Sequence, residues 1–262
     1  MPWTFVHPAA VLPLRRFGAA HHRFGALVIG SLSPDFAYYL NRFDLADAAH
    51  TLPGLATLCL PSSLAVLVLA RLLHGPVAHL LPEPHRSAIE ALPRLPALND
   101  VRRLPGLSAA ILVGAATHNA WDSFTHRSGY MAARLPLLEA PTFTLHDRSV
   151  PVYDVLQHGG TVVGLVVLGI VYARWLKTAD RPAAATPAGR DGWRYGLLIG
   201  LALASMALAV PFARAAATDG AGSLSLALFI GRFAVFSTTN FVVAVCAAAL
   251  LLACRRARPA RP

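Results

Sequence analysis

Long uncharged runs constrain this chain more than any other feature. Thr51 to Ala70 carries no charge over 20 residues, and Tyr195 to Ala213 none over 19. At 1.5 Å of rise per residue, each run covers about 30 Å as a helix, the thickness of a bilayer's hydrocarbon core. Leu104 to Trp121, His158 to Ala173 and Leu224 to Cys254 raise the expected spans to five. Pro53 and Pro61 predict a late start or a kink in the first span. Of the 262 residues, 55% are hydrophobic and only 14% charged, whereas soluble domains run near one-quarter charged. The fold class that follows is an all-α polytopic membrane bundle.

The first forty residues hold two shorter apolar pieces. His7-Pro-Ala-Ala-Val-Leu-Pro-Leu stops at Arg15-Arg16, and Phe24 to Leu32 ends at Ser33-Pro34-Asp35. Nine or ten residues reach about 14 Å, half the apolar core, so the pieces read as an antiparallel half-length hairpin. Such a hairpin returns Asp35 to the end where His7 began. Arg15, Arg16 and Arg23 interrupt the apolar residues, so no secretory leader is expected. The chain divides into a motif-bearing membrane domain, 1–176, a cytoplasmic loop, 177–194, and a C-terminal helix pair with a basic tail, 195–262. Arg181 to Gly192 is low in complexity and reads as a flexible loop.

The formal charge of +10 matters through its distribution. The hairpin tip, the segment Arg71 to Arg103, the segment Arg174 to Arg194 and the C-terminal tail share one side of this topology. They hold 17 of the 23 Lys and Arg, against five on the other side, with Arg232 unassigned. Basic residues favour the cytoplasmic side, so the C-terminus is expected inside. Trp3, Trp121, Trp175 and Trp193 fall at predicted boundaries, as an interfacial aromatic belt requires. Arginines spread over loops as topology signals do not form a nucleic-acid-binding face. Cys59, Cys246 and Cys254 lie in apolar runs and read as packing residues. His74 to Arg103 reads as an interfacial helix with proline breaks. Its His74, His79 and His85, like His21 and His22 at the hairpin tip, are expected near head groups or solvent.

The chemistry concentrates on the opposite side. In Gly114-Ala-Ala-Thr-His118-Asn-Ala-Trp-Asp122-Ser-Phe-Thr-His126, the two histidines and the aspartate recur every four residues. If the helix continues, each step turns about 40° and all three lie on one stripe. Two imidazoles and a carboxylate so placed suit a divalent cation, although the same spacing also serves a helix end meeting water and head groups. The arginine-derived topology brings His7, Asp35, His50 and His158 to the same face. Ionisable residues at membrane depth face a polar cavity or a partner. The expected metal ligands are His7, Asp35, His50, His118, Asp122, His126 and His158, with Asp35 and Asp122 also catalytic. Zinc is the expected ion, and a mixed His/Asp set also suits two ions bridged by a carboxylate. Asp35 alternatively caps a turn after proline. His146 and Asp147 are read as solvated.

His7-Pro-Ala-Ala, Gly30-Ser-Leu-Ser-Pro-Asp35, His50-Thr-Leu-Pro-Gly, Thr117-His118 through His126 and Leu156-Gln157-His158-Gly together resemble a bacterial membrane family. It is catalogued as domain of unknown function 4184, and the likeness covers roughly residues 1 to 170. That family implies no activity. A more distant likeness is to membrane-bound metal-dependent hydrolases and zinc-dependent phospholipase C folds, which implies a lipid or lipid-linked phosphoester substrate. The amino-terminal ligand of the phospholipase-like enzymes has no counterpart here, because Trp3 follows Met1-Pro2. Three readings remain at this stage: a metal-dependent hydrolase, a metal-binding or proton-linked transporter, and a structural protein with a hydrogen-bonded helix lock. The spans lack midplane acids, which speaks against transport. The substrate, the number of ions and the oligomeric state are not encoded in these motifs.

Overall fold

The computed structural model describes residues 3–16, 21–95, 98, 100–145, 148–179, 191–220 and 222–257. His146, Asp147 and most of the 177–194 loop lie outside them, as do the side chains of His21 and His22. The described chain is almost wholly helical. In order come a 3-10 turn at Thr4–Val6, α1 (Pro8–Val11), a second turn at Leu12–Arg16 and α2 (His21–Leu32). A third turn at Ser33–Asp35 leads into α3 (Phe36–Tyr39), α4 (Phe43–Ala49), α5 (Leu52–Gly54) and α6 (Leu60–Leu80). Then follow α7 (His85–Glu90), α8 (Leu104–Thr125), α9 (Pro136–Glu139), β1 (Pro141–Leu145), β2 (Arg148–Pro151), α10 (Val152–Thr178), α11 (Gly192–Ala217) and α12 (Leu226–Ala257). β1 and β2 form an antiparallel hairpin.

Four helical stretches are long and apolar enough to cross a membrane: Leu52–Leu80, Val152–Thr178, Gly192–Ala217 and Leu226–Cys254. Val163, Val166, Leu203, Phe212, Val243 and Leu251 on the last three are exposed. A large apolar surface of this kind needs lipid around it. The fifth expected stretch forms α8, but it serves differently. Leu107, Ile111, Gly114, Ala115, His118, Asp122 and Thr125 are its buried positions, one stripe at helical spacing. That stripe is apolar at one end and ionisable at the other.

The first span begins with a defect. Pro61 has no N–H to donate back to Thr57, and the Leu60 N–H instead reaches the Leu55 carbonyl, making a π-turn over Leu55–Cys59. Beyond it, α6 runs through Gly75-Pro76 to Leu80, so His74 and His79 belong to this helix and not to a separate interfacial one. Ala78 and Leu80 are fully buried, which holds the last turns in place after Pro76 removes one hydrogen bond.

The chain forms two compact units. One comprises Met1–Ala37, Arg42–Val68 and Leu95–Lys177; the other comprises Tyr38–Asn41, Leu69–Arg94 and Thr178–Pro262. The end of α6 and all of α7 group with the C-terminal pair. In that second unit α11 packs along α12, and Asn240 Nδ2 donates to the Ser205 carbonyl at 3.3 Å. Its buried polar lock joins α7 to the start of α11: Asp191 accepts from the Glu83 N–H at 2.7 Å and pairs with Arg194. Glu83 in turn pairs with Arg86.

In the first unit, Ala26, Leu67, Leu107 and Ile111 form the core. Here α2 and α8 meet backbone to backbone. A Cβ on Gly30 would stand 2.2 Å from the Ile111 carbonyl oxygen, and one on Gly114 2.2 Å from that of Leu27. Two glycines, one per helix, set this approach, in the manner of small-residue helix packing in membranes. Gly114→Val should therefore push α2 from α8 and cost on the order of 1–3 kcal/mol, read as a lowered unfolding midpoint in detergent. Gly196→Ala, where an added Cβ meets nothing within 4 Å, should leave that midpoint unchanged or raise it.

Candidate metal centre

Four segments deliver the site. His7 precedes α1, Asp35 closes the turn after α2, His50 caps α4, and His118 and Asp122 lie one turn apart on α8. The Gly30–Gly114 contact sits one turn before His118 and places the Ser31 carbonyl 2.8 Å from His118 Nδ1. That bond makes Nδ1 the donor and leaves the Nε2 lone pair facing inward. His50 is held alike: its Nδ1 donates to the Ala46 carbonyl at 2.7 Å. Thr4 donates its hydroxyl to Asp35 Oδ2 at 2.5 Å, leaving Oδ1 for the centre.

The inward atoms then converge. His118 Nε2 lies 3.3 Å from Asp122 Oδ2 and 3.6 Å from Asp35 Oδ1. His50 Nε2 lies 3.5 Å from Asp35 Oδ1 and 3.6 Å from Asp122 Oδ2. His7 Nε2 lies 3.6 Å from Asp122 Oδ1. These separations exceed the 2.7–3.2 Å of a good N–H···O bond. They match donors that share a cation, since atoms about 2.0–2.2 Å from one ion sit roughly 3–3.6 Å apart at neighbouring positions. Both ring nitrogens of His7, Asp35 Oδ1, His118 Nε2 and Asp122 Oδ1 are buried without a hydrogen-bond partner. Orphaned buried polar atoms are costly, and cations held within this cluster would satisfy them. His7, Asp35 and His118, and again His50, His118 and Asp122, offer ligand atoms within 4.8 Å of one another.

Burial, reinforced by the neighbouring His118, pushes the His7 imidazole down to about 3. Burial lowers His50 too, but the Asp122 and Asp35 carboxylates outweigh it and push His50 up to about 10. Burial raises Asp35, yet His118, His50 and Thr4 together hold its carboxyl well below the usual range. Without metal, then, protonated imidazole balances the carboxylates. Any metal taken up here would have to displace those protons.

Two of the expected ligands stand apart from this core. α8 ends at Thr125, so His126 takes an extended cap conformation and the three-residue stripe stops at Asp122. The turn still brings His126 Nδ1 to 3.6 Å from Asp122 Oδ1 and 3.2 Å from the Asp122 carbonyl oxygen. His158 is left out. It is exposed on α10, because the inward position of that turn is Gln157, 7% exposed, and the next residue points about 100° away. Sequence reading also missed Thr4 and the carbonyls of Ser31 and Ala46. Thr4 lies three residues before His7 and was findable as a same-face neighbour; the carbonyls carry no side-chain signal.

The chain matches the family described as domain of unknown function (DUF4184) over residues 1–254 and belongs to it. The match extends well past the motif region into α12. No curated protein and no solved structure matches the chain.

Thr4→Val frees one oxygen of Asp35 and should weaken divalent-metal affinity about 10–100-fold, measured by competition with a chromophoric chelator. In metal-free protein, His7 and His126 are both lowered, so the unfolded chain binds protons there before the folded one does. Stability should therefore fall as pH drops from about 6.5 toward 4, a slope that His7→Gln reduces. His50 is raised, so its contribution is complete below about 6.5 and adds no slope in that window.

Proposed function

We propose that this protein is a metal-dependent membrane hydrolase that acts on a lipid or lipid-linked phosphoester at the non-cytoplasmic face, with zinc as its ion. The observation that carries the reading is the set of orphaned, buried His and Asp atoms converging from four segments. Two carboxylates and several imidazoles match the ligand preference of zinc. Such an ion, when bound, polarises a phosphoryl oxygen and lowers the pKa of a bound water toward about 7.

The residues around it have separable tasks. Asp35 and Asp122 supply the negative charge and are the groups in contact with the reacting centre. His118, fully buried, is fixed by Ser31; His50 and His126, whose side chains are 22% exposed, form the open side. Exposed Leu52 and Phe124 stand two residues from those two histidines. Exposed apolar residues close in sequence to the open side of a polar centre suit a substrate with a charged head and a lipid tail. The excess of Lys and Arg on the other side of the topology supports the non-cytoplasmic placement.

The test is release of head group or phosphate from phosphoester lipids in nanodiscs holding the purified protein. Chelation should abolish turnover and zinc restore it. His118→Ala should lower kcat/KM by about 10²–10⁴-fold, the rate equivalent of several kcal/mol of charge stabilisation. Protein that takes up no metal when zinc is supplied, or turnover indifferent to His118→Ala, would sink the proposal.

A further inference from the structure

The rings of His7 and His118 are stacked, with centroids 3.6 Å apart and planes 17° from parallel. This arrangement limits what they can share. An imidazole binds a metal through an in-plane lone pair at about 2.0–2.1 Å. An ion in the plane of His118 would lie roughly 3 Å or more off the plane of His7, beyond any bond. One ion therefore cannot take both rings, although their nitrogens are close enough to suggest it.

We infer that the centre binds two divalent cations bridged by Asp122, one in the plane of each stacked ring; this rests on the metal-dependent reading above. Asp122 divides its oxygens accordingly. Oδ2 faces His118 and His50 at 3.3 and 3.6 Å, while Oδ1 faces His7 and His126, each at 3.6 Å. Asp35 Oδ1 lies with the first group, 3.5 Å from His50 and 3.6 Å from His118. The first ion thus has His50, His118, Asp35 and one oxygen of Asp122. The second has His7 and the other oxygen of Asp122, with His126 beside that oxygen.

The spacing is consistent. Ions in the planes of rings whose centroids are 3.6 Å apart can approach to about that distance, and carboxylate-bridged pairs in hydrolytic enzymes lie about 3.5–4 Å apart. The pairing also accounts for His7. It is 3% exposed, with neither nitrogen hydrogen-bonded, which one ion on His118 alone would leave unexplained. The two sites differ in completeness. Four protein donors nearly fill the first, whereas the second has three at most and keeps positions for solvent or a phosphoryl oxygen.

Saturation of the purified protein with Mn²⁺, followed by metal analysis and electron paramagnetic resonance, tests this without any variant. The expected result is two Mn²⁺ per chain and an exchange-coupled spectrum, as a bridged pair gives. His7→Gln should reduce the count to one and leave an uncoupled signal, with His50, His118 and Asp35 still holding their ion. One Mn²⁺ per chain, uncoupled and unaffected by His7→Gln, overturns the two-ion inference and leaves the single-metal reading standing. No bound Mn²⁺ or Zn²⁺ at all overturns both.

Discussion

Two buried carboxylates fix the terms on which the first unit folds. Asp35 is 1% exposed and Asp122 7%, in a chain whose surroundings are lipid and apolar side chains. A carboxylate in such a setting is tolerated only with positive charge and donors close by, since isolated burial costs many kcal/mol. The fold meets this by bringing His7, His50 and His118 within 3.6 Å of carboxylate oxygens, from segments far apart in sequence. The inward nitrogens of His7 and His118 remain without hydrogen bonds, so the arrangement is only half compensated by protein alone. On the metal-dependent reading proposed above, divalent cations would supply the missing positive charge. Metal binding and folding of this unit are in that sense one problem.

That charge requirement has a steric counterpart. His118 is useful only with its Nδ1 held, and the group that holds it is a backbone carbonyl of α2. A carbonyl reaches another helix only where no side chain intervenes, which is what Gly30 and Gly114 provide. The two glycines and the histidine are therefore parts of one device, although only the histidine has chemistry of its own. The same reasoning covers Gly54, where a Cβ would meet the Ala48 carbonyl at 2.0 Å as the chain turns past His50.

Much of this was legible in the residues, and the remainder failed for definite reasons. The apolar runs marked the helices because a 20-residue uncharged stretch has few other solutions in a cell. Sorting His and Asp by the arginine pattern gathered His7, Asp35, His50, His118 and Asp122, because topology constrains depth as well as side. His158 shows where that logic stops. It assigns a residue to the right end of a helix but not to a face, and on α10 Gln157 takes the inward position. His126 shows the converse: helical extrapolation places it wrongly, yet a turn brings it back beside Asp122. Backbone donors and acceptors, such as the carbonyls of Ser31 and Ala46, lie below the resolution of any side-chain pattern. The stacking of His7 on His118 belongs to the same class, since it depends on ring orientation alone.

The short elements explain why the site sits where it does. Each ligand-bearing segment other than α8 is a turn or a helix of at most twelve residues, too short to cross a bilayer. They meet at the cluster, so caps and turns gather there and their polar groups can be satisfied by one another. Long helices cannot supply this. A ligand in the middle of α11 or α12 would strand an ionisable group among lipid tails, and the central parts of both are free of such residues. The chain thus separates anchoring from chemistry. Uninterrupted apolar helices hold it in the membrane, while broken, proline-punctuated ones expose enough backbone to build a polar centre. The π-turn at Leu55–Cys59, separated from His50 only by Thr51 and α5, is the seam between the two, where a segment that carries a ligand becomes a span.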